Sequence, residues 1–478
     1  MKRSAFTTPR FVFHLYTAII CVVLWALWFF RYRYFMIWLE GFSYFSYLPD
    51  FKSLYGILED GFFKYVGAFF LQFYKWPAIG ALLQTFFAVW PAFCLGTIII
   101  RLFRDPAKLM WLSYLYLPAF VYYQFWDLTL VHSIAGFFCS GLFACIVTLV
   151  TMGRKPQWKV PKIIGNRLVM ALIPLAALFC SLYFLIWFDD RMIEHERTAE
   201  LEYYAEKGEW NKILNTVSLK DAKGNEFKMR YALLALSETG RLPDYAFSYG
   251  LKGSSDFLFY GREEPLCLAY NSLFYKALGM PNAVIHQTYQ QSMQSLPGMG
   301  FGTLRRLADT YLELKDYTLA KKYLNILGKS TCHHKWVNDR LVKLESIRGK
   351  APLYIEEDNW FIIGSYLPTV SAMVDRNPEN KKYADLLLCG ILADSQGSIF
   401  YEAFKIISYY LYPDGKNIPR LYQEALLIIA SYEPEILEKY EISEEVRKGF
   451  NDFTQLMQSG RNSVAKKKYA DTYWAYIY

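Results

Sequence analysis

The chain has 478 residues, of which 54% are hydrophobic and 19% aromatic, and carries 52 Lys/Arg against 44 Asp/Glu. Residues 1 to 188 hold sixteen Lys/Arg and six Asp/Glu, a balance of +10, which leaves 36 against 38 for residues 189 to 478. The basic excess therefore sits between apolar segments and not on a polar element, which excludes a nucleic-acid-binding face and removes nucleic acid from the expected partners.

Five segments are apolar enough to cross a hydrocarbon core of ~30 Å, which takes ~20 helical residues: Phe11 to Phe30, Ala78 to Ile100, Lys108 to Trp126, Val131 to Met152 and Leu168 to Phe188. A sixth, Gly61 to Trp76, is short, carries Lys64, Gln72 and Lys75, stops at Pro77, and reads as an interfacial or re-entrant helix. With five spans and a cytoplasmic N-terminus the loop cations divide eleven inside to seven outside; with six spans they divide six to twelve. The positive-inside rule selects the first arrangement, a multi-pass inner-membrane protein with residues 189 to 478 outside the cytoplasm. Bulky Arg31 and Arg33 follow the first span, so it reads as an uncleaved signal anchor. Trp25, Trp28, Trp76, Trp126 and Trp187 lie near span ends, where an amphipathic ring suits the headgroup layer of the bilayer partner. Ionisable groups at membrane depth are few, Asp127 and His132 lying in a short turn, and a transporter would need a polar cavity between the spans.

The first outer loop carries the acids Glu40, Asp50, Glu59 and Asp60. Acids in that position resemble the first extracytoplasmic loop of GT-C glycosyltransferases, and the resemblance implies Glu40, Glu59 or Asp60 as base or metal ligand for a lipid-linked sugar. It is confined to this loop, and five spans are fewer than such enzymes usually have. The alternative is that these acids are ordinary solvated loop charges.

From residue 189 onward the pattern is that of short amphipathic helices separated by Gly- or Pro-marked turns. Leu304 to Leu327 matches the tetratricopeptide pattern at Leu304, Leu307, Ala308, Tyr311, Tyr317, Ala320 and Leu324. Weaker units place second-helix anchors at Ile213, Tyr245, Ala283 and Ala320, spaced 32, 38 and 37 residues. Beyond Arg348 the period is lost, but helices are expected over Lys381 to Asp394, Ile399 to Tyr412, Arg420 to Tyr432 and Glu444 to Met457. The expected fold is all-α: a transmembrane helical domain (1–188), tetratricopeptide-like degenerate repeats forming an α-solenoid (189–348), and a helical continuation (349–478).

Cysteines are scattered, and Cys332, His333 and His334 are adjacent with no second ligand pair downstream, so neither a disulfide framework nor a metal site is expected. PGMGFG, with Gly298, Gly300 and Gly302, has no strand before it and reads as a flexible inter-repeat loop. HExxH, GxSxG, GxxxxGK[ST] and CxxC are all lacking, so no cofactor is expected. RYRYFMIWLEG, FLQFYKWPAIGALL and KYADTYWAYIY resemble an uncharacterised family of Bacteroidota membrane proteins with a helical-repeat C-terminal region. That resemblance implies the topology and brings no catalytic residue. Repeat helices usually hold a peptide or protein partner, here in cell-envelope assembly, with Arg305, Tyr311, Tyr317 and Lys321 as candidate contacts. The competing reading is the lipid-linked-sugar enzyme.

Overall fold

The computed structural model describes residues 9–106, 109–156, 158–159, 167–183, 190–295, 298–353 and 365–478. Among them the regular structure is helical, with one isolated parallel bridge between Phe103 and Trp158. The chain groups into two compact units, residues 1–200 with 292–351, and residues 201–291 with 352–478. Composition divides the chain at Phe188/Asp189, a junction outside the described residues, as are Lys2, Arg3, Lys108, Lys162 and Trp187.

In the first unit, α1 (Pro9–Arg31) is followed after Tyr32 by α2 (Arg33–Phe42), then by α3 (Pro49–Gly56), α4 (Gly61–Leu71) and a 3-10 turn, Gln72–Lys75. Next come α5 (Pro77–Leu102), α6 (Leu117–Trp126), α7 (Val131–Val150), α8 (Arg167–Tyr183) and α9 (Asp190–Glu206), the last running on into the second unit. Among the described residues three helices are long and apolar enough to cross a membrane: α1 over Phe13–Arg31, α5 and α7. This corrects the expected five. Lys108 to Trp126 is broken into a 3-10 turn at Met110–Tyr114 and the ten-residue α6, whose helical length is only about 15 Å. The described part of the fifth, α8, has 17 residues, and the rest of that predicted span lies outside the described residues. Gly61 to Trp76 is short, as its composition predicts.

The break is tied to the neighbouring helix α5. Pro91 inside α5 disrupts the regular backbone ladder. The Tyr116 hydroxyl accepts from the Ala92 N–H at 3.1 Å and donates to the Ala88 carbonyl, re-satisfying the opened ladder where little water can do so. Tyr116 is thereby fixed at the join of the 3-10 turn and α6. The broken segment still lies along α1, with the Tyr114 hydroxyl on Thr17 and Phe125 stacked on Trp28 at 4.7 Å.

Asp127 and His132 prove structural. The Asp127 carboxylate accepts from the backbone N–H groups of Val131 (2.9 Å), His132 (2.6 Å) and Ser133 (3.3 Å), satisfying the open N-terminus of α7. The His132 Nδ1 stands 3.5 Å from the same carboxylate.

The rest of this unit is a helical hairpin and a third helix: α10 (Phe301–Glu313), α11 (Tyr317–Gly328) and α12 (His334–Ser346). The positions matched to the tetratricopeptide pattern are the ones that bury, Tyr317 excepted, and Tyr311 stacks face to face on Tyr323 at 5.6 Å. No continuous array follows from that. Tyr245 is exposed at the end of a four-residue helix, Leu242–Tyr245, too short to be a second repeat helix. The 32-, 38- and 37-residue spacing therefore does not mark a repeat.

The second unit is a separate helical core. Helices Glu226–Glu238, Pro265–Ala277 and Lys381–Ala393 are buried along most of their length, as apolar all-round faces require. Gly397–Leu411, Arg420–Ala430 and Glu444–Gln458 surround them, close to the predicted limits. Within this core the buried Asp385 is matched by Lys381 Nζ at 2.6 Å and by the Tyr422 hydroxyl at 2.8 Å.

Candidate functional site: a buried ion pair beneath a helical hairpin

The sequence RYFMIWLEGF makes α2 an apolar helix with one acid, and that acid must find a partner if it is buried. The helix is held at both ends. At its start the buried Glu196 of α9 accepts from the N–H groups of Tyr34 (3.1 Å) and Phe35 (2.6 Å), serving as a cap delivered from another helix. Burial pushes the Glu196 carboxyl up to about 8, against the two N–H groups.

Near the other end Glu40, only 1% exposed, meets α10 and His333, the residue before α12. Arg305 spans both its oxygens, Nη1 to Oε1 at 3.1 Å and to Oε2 at 3.2 Å, and Nη2 to Oε2 at 3.2 Å. The His333 Nε2 lies 2.7 Å from Oε1. Burial by itself raises the Glu40 carboxyl; the Arg305 guanidinium, helped by His333, overcomes it and holds the group at about 2. Burial moves His333 downward against the pull of Glu40, so the ring tends to neutrality and its Nδ1 is buried without a partner.

Around the pair, backbone and side chains interlock. The Phe301 N–H donates to the Ser43 carbonyl at 2.8 Å, and the Tyr44 hydroxyl donates to the Ile326 carbonyl at 3.0 Å. Lys75 Nζ donates to the Cys332 carbonyl at 2.8 Å, and Thr331 Oγ1 to Gln72 Oε1 at 2.8 Å. Burial lowers the Lys75 ammonium, with Glu40 opposing.

Gly300 and Gly302 are packing residues, which corrects the reading of PGMGFG as a flexible loop. A Cβ on Gly300 would stand 2.3 Å from the Gly41 carbonyl oxygen, and one on Gly302 3.1 Å from the same atom. The backbone conformation at Gly300 is extended, so the constraint is close approach and not handedness. Gly300→Ala is expected to cost about 1–3 kcal/mol by forcing two backbones apart. A detergent-purified variant unfolding at the wild-type temperature would contradict this.

The candidate acids thus part company. Glu40 has both oxygens occupied and no free edge for a substrate, whereas Glu59 and Asp60 are exposed on the turn before α4. Lys64 Nζ donates to the Glu59 carbonyl at 2.7 Å, and Asp60 adopts a left-handed φ of 57°. Among the described residues no group of three or more His, Cys, Asp and Glu could hold a metal.

Of the candidate contacts, Arg305 is the anchor on Glu40 and Tyr311 is buried in the hairpin. Tyr317 and Lys321 remain at the surface, where Lys321 and Arg348 lie 5.5 and 5.7 Å from the Tyr317 ring centre. Sequence reasoning missed Glu196, His333 as a partner of Glu40, and the charge of the hairpin region. Residues 301–350 carry eleven Lys/Arg against five Asp/Glu, a balance of +6 hidden within the near-neutral C-terminal tract. In the second unit a shallow cleft of about 390 Å³ is lined by Arg420, Lys448, Asp452 and Lys468. Its charges are matched locally, Lys468 to Asp452 at 2.7 Å and Lys448 to Glu444 at 2.8 Å.

These features define a class: a chain whose described residues are helical, three of the helices being of membrane length, with a helical hairpin clamped by a buried ion pair. The chain belongs to the family described as "Family of unknown function (DUF6057)", whose model matches residues 8–188 and 187–478. The two matched stretches meet beside the compositional division at Phe188/Asp189. No curated protein and no solved structure matches it.

Proposed function

We propose that the chain is an integral inner-membrane protein, N-terminus cytoplasmic, which presents tetratricopeptide-like helices outside the cytoplasm to a protein or peptide partner in envelope assembly. The membrane part of this reading is supported by the apolar side chains that α5, α7 and α8 expose, among them Leu82, Phe86, Leu142, Phe143, Leu149 and Phe179. So much exposed apolar surface suits lipid and not water. In the proposed topology the broken segment at Met110–Tyr114 and α6 completes a crossing beside α1, and α8 supplies another. The Phe103–Trp158 bridge sets Arg104 beside the loop holding Arg154, Lys155 and Lys159, on the end the positive-inside rule assigns to the cytoplasm.

The observation that carries the binding role is the +6 hairpin region clamped through Arg305. Its outward cations lie by an aromatic ring, Lys321 and Arg348 at 5.5 and 5.7 Å from Tyr317, a surface that fits an acidic segment of a partner. The test is affinity capture with the full-length chain in detergent, comparing wild type with Lys321→Glu/Lys343→Glu/Arg348→Glu. The reading expects at least one partner to be captured by the wild type and lost from the folded variant. Identical captured sets would overturn it.

A further inference from the structure

At the end of the bundle that carries α2, five segments hold uncharged polar side chains that are fully buried and have polar atoms without a hydrogen-bond partner. The orphaned atoms include Trp28 Nε1 on α1, Tyr74 Oη on the 3-10 turn, both amide atoms of Gln84 on α5, Gln124 Oε1 on α6 and Ser133 Oγ on α7. Contacts link the segments that carry them. The Gln124 amide donates to the Gln84 carbonyl at 3.0 Å, and Trp28 stacks on Phe125, the next residue after Gln124. Tyr74 packs over Gly80, one turn before Gln84 on the same face of α5. Burial, and then the nearby Asp127 carboxylate, push the Tyr74 phenol upward, while Asp127 accepts from the Ser133 N–H.

Buried polar groups are nearly always paired, and in a lipid-surrounded bundle water does little to relieve those that are not. Their gathering on converging segments calls for a polar guest. Its chemistry follows from what is left unmade. Trp28, Tyr74, Ser133 and the Gln84 amide offer donors, and Gln84 and Gln124 offer acceptor oxygens. No charge is unmatched, since the Asp127 oxygens are taken by three backbone N–H groups and by Thr129 Oγ1. An ion therefore finds no counter-charge here, whereas a group bearing several hydroxyls or amides finds both donors and acceptors. Gln84 lies seven residues into α5, about 10 Å from its start, and Trp28, Gln124 and Ser133 are similarly near helix ends. That depth is reached by a headgroup or by a solute entering from that face.

We propose that this end of the bundle is a binding site for an uncharged, hydroxyl- or amide-rich group, supplied either by a lipid headgroup or by a free sugar-like solute. The site does not depend on the partner-binding reading, and no bond is made or broken in it. The test uses the full-length chain in a phosphocholine detergent and follows thermal unfolding with octyl glucoside below its micelle concentration, with octyl phosphocholine at the same concentration, and with free glucose. Octyl glucoside is expected to raise the unfolding midpoint by several degrees over octyl phosphocholine, and Gln84→Leu/Gln124→Leu to abolish the rise. A rise with octyl glucoside alone identifies a lipid headgroup; a rise with glucose as well identifies a free solute. Absence of any sugar-dependent rise in the wild type, or a rise that survives the double substitution, overturns the proposal. Should the double variant fail to fold, Gln84→Met and Ser133→Ala are read by the same criterion.

Discussion

Glu40→Ala is expected to destabilise the seating of residues 301–346 by about 3–5 kcal/mol, the usual cost of removing one member of a buried pair and stranding the other. The loss falls on Arg305, which gives up all three of its contacts to the carboxylate, and on the wholly buried His333. Hydrogen exchange in peptides from 301–346 should rise while that in 381–430 stays unchanged; equal protection in variant and wild type would refute the assignment. Glu40→Met/Arg305→Met should recover much of the loss, because replacing both charges with apolar groups is often close to neutral. The pH dependence has a definite sign. Glu40 moves from its ordinary 4.5 to about 2 on folding, so its contribution, about 3 kcal/mol, is complete above pH 4.5 and is lost as pH falls toward 2. Glu196 acts oppositely: raised to about 8, its contribution is complete below pH 4.5 and is lost as pH rises through 8. Glu40→Gln should flatten the acid limb alone.

Trp474→Ala should cost the second unit about 3–5 kcal/mol, in the range for emptying a large buried aromatic site. Trp474 is 1% exposed, with Phe450 at 5.4 Å, Phe453 at 6.2 Å and Tyr469 at 6.3 Å between ring centres. Its neighbours tie the C-terminal turn to the core. Tyr473 donates its N–H to Glu424 at 2.7 Å and its hydroxyl to the Leu392 carbonyl at 3.0 Å, while the Tyr476 hydroxyl donates to the Ala393 and Lys252 carbonyls. Limited proteolysis should cleave 381–478 in the variant under conditions that leave the wild type intact. A stability loss under about 1 kcal/mol would show that the cavity collapses or that the residue is peripheral.

These two cases show what was legible beforehand. The ending KYADTYWAYIY was noted only for its resemblance to a family, whereas the helices near 381–394, 399–412, 420–432 and 444–457 could be placed because apolar spacing at helical period is a local signal. Glu40 was likewise conspicuous as an acid near the membrane. Its partners were not legible, because Arg305 lies 265 positions away and nothing local encodes that pairing. The broken third segment was missed for a related reason. Lys108 to Trp126 has the composition of a span, but the backbone opening at Pro91 that Tyr116 fills belongs to another helix. Gly300 and Gly302 were noticed and misread, since close approach of two backbones and a mobile loop leave the same mark in a sequence.

Residues 201–291 and 352–478 form one unit, yet 60 residues of chain, 292–351, lie between them and belong to the other. During synthesis the first part of that unit emerges well before the helices that complete its core, and domains ordinarily consolidate in order of emergence. Segment 292–351 appears in the interval, when its docking surface near Glu40 is already made. Its early capture would bring the two halves of the later core to a fixed chain position and shorten the search between them, since loop-closure entropy falls once the intervening chain is pinned. On that order of events the Glu40–Arg305 clasp would form while the core made of 201–291 and 352–478 is still incomplete.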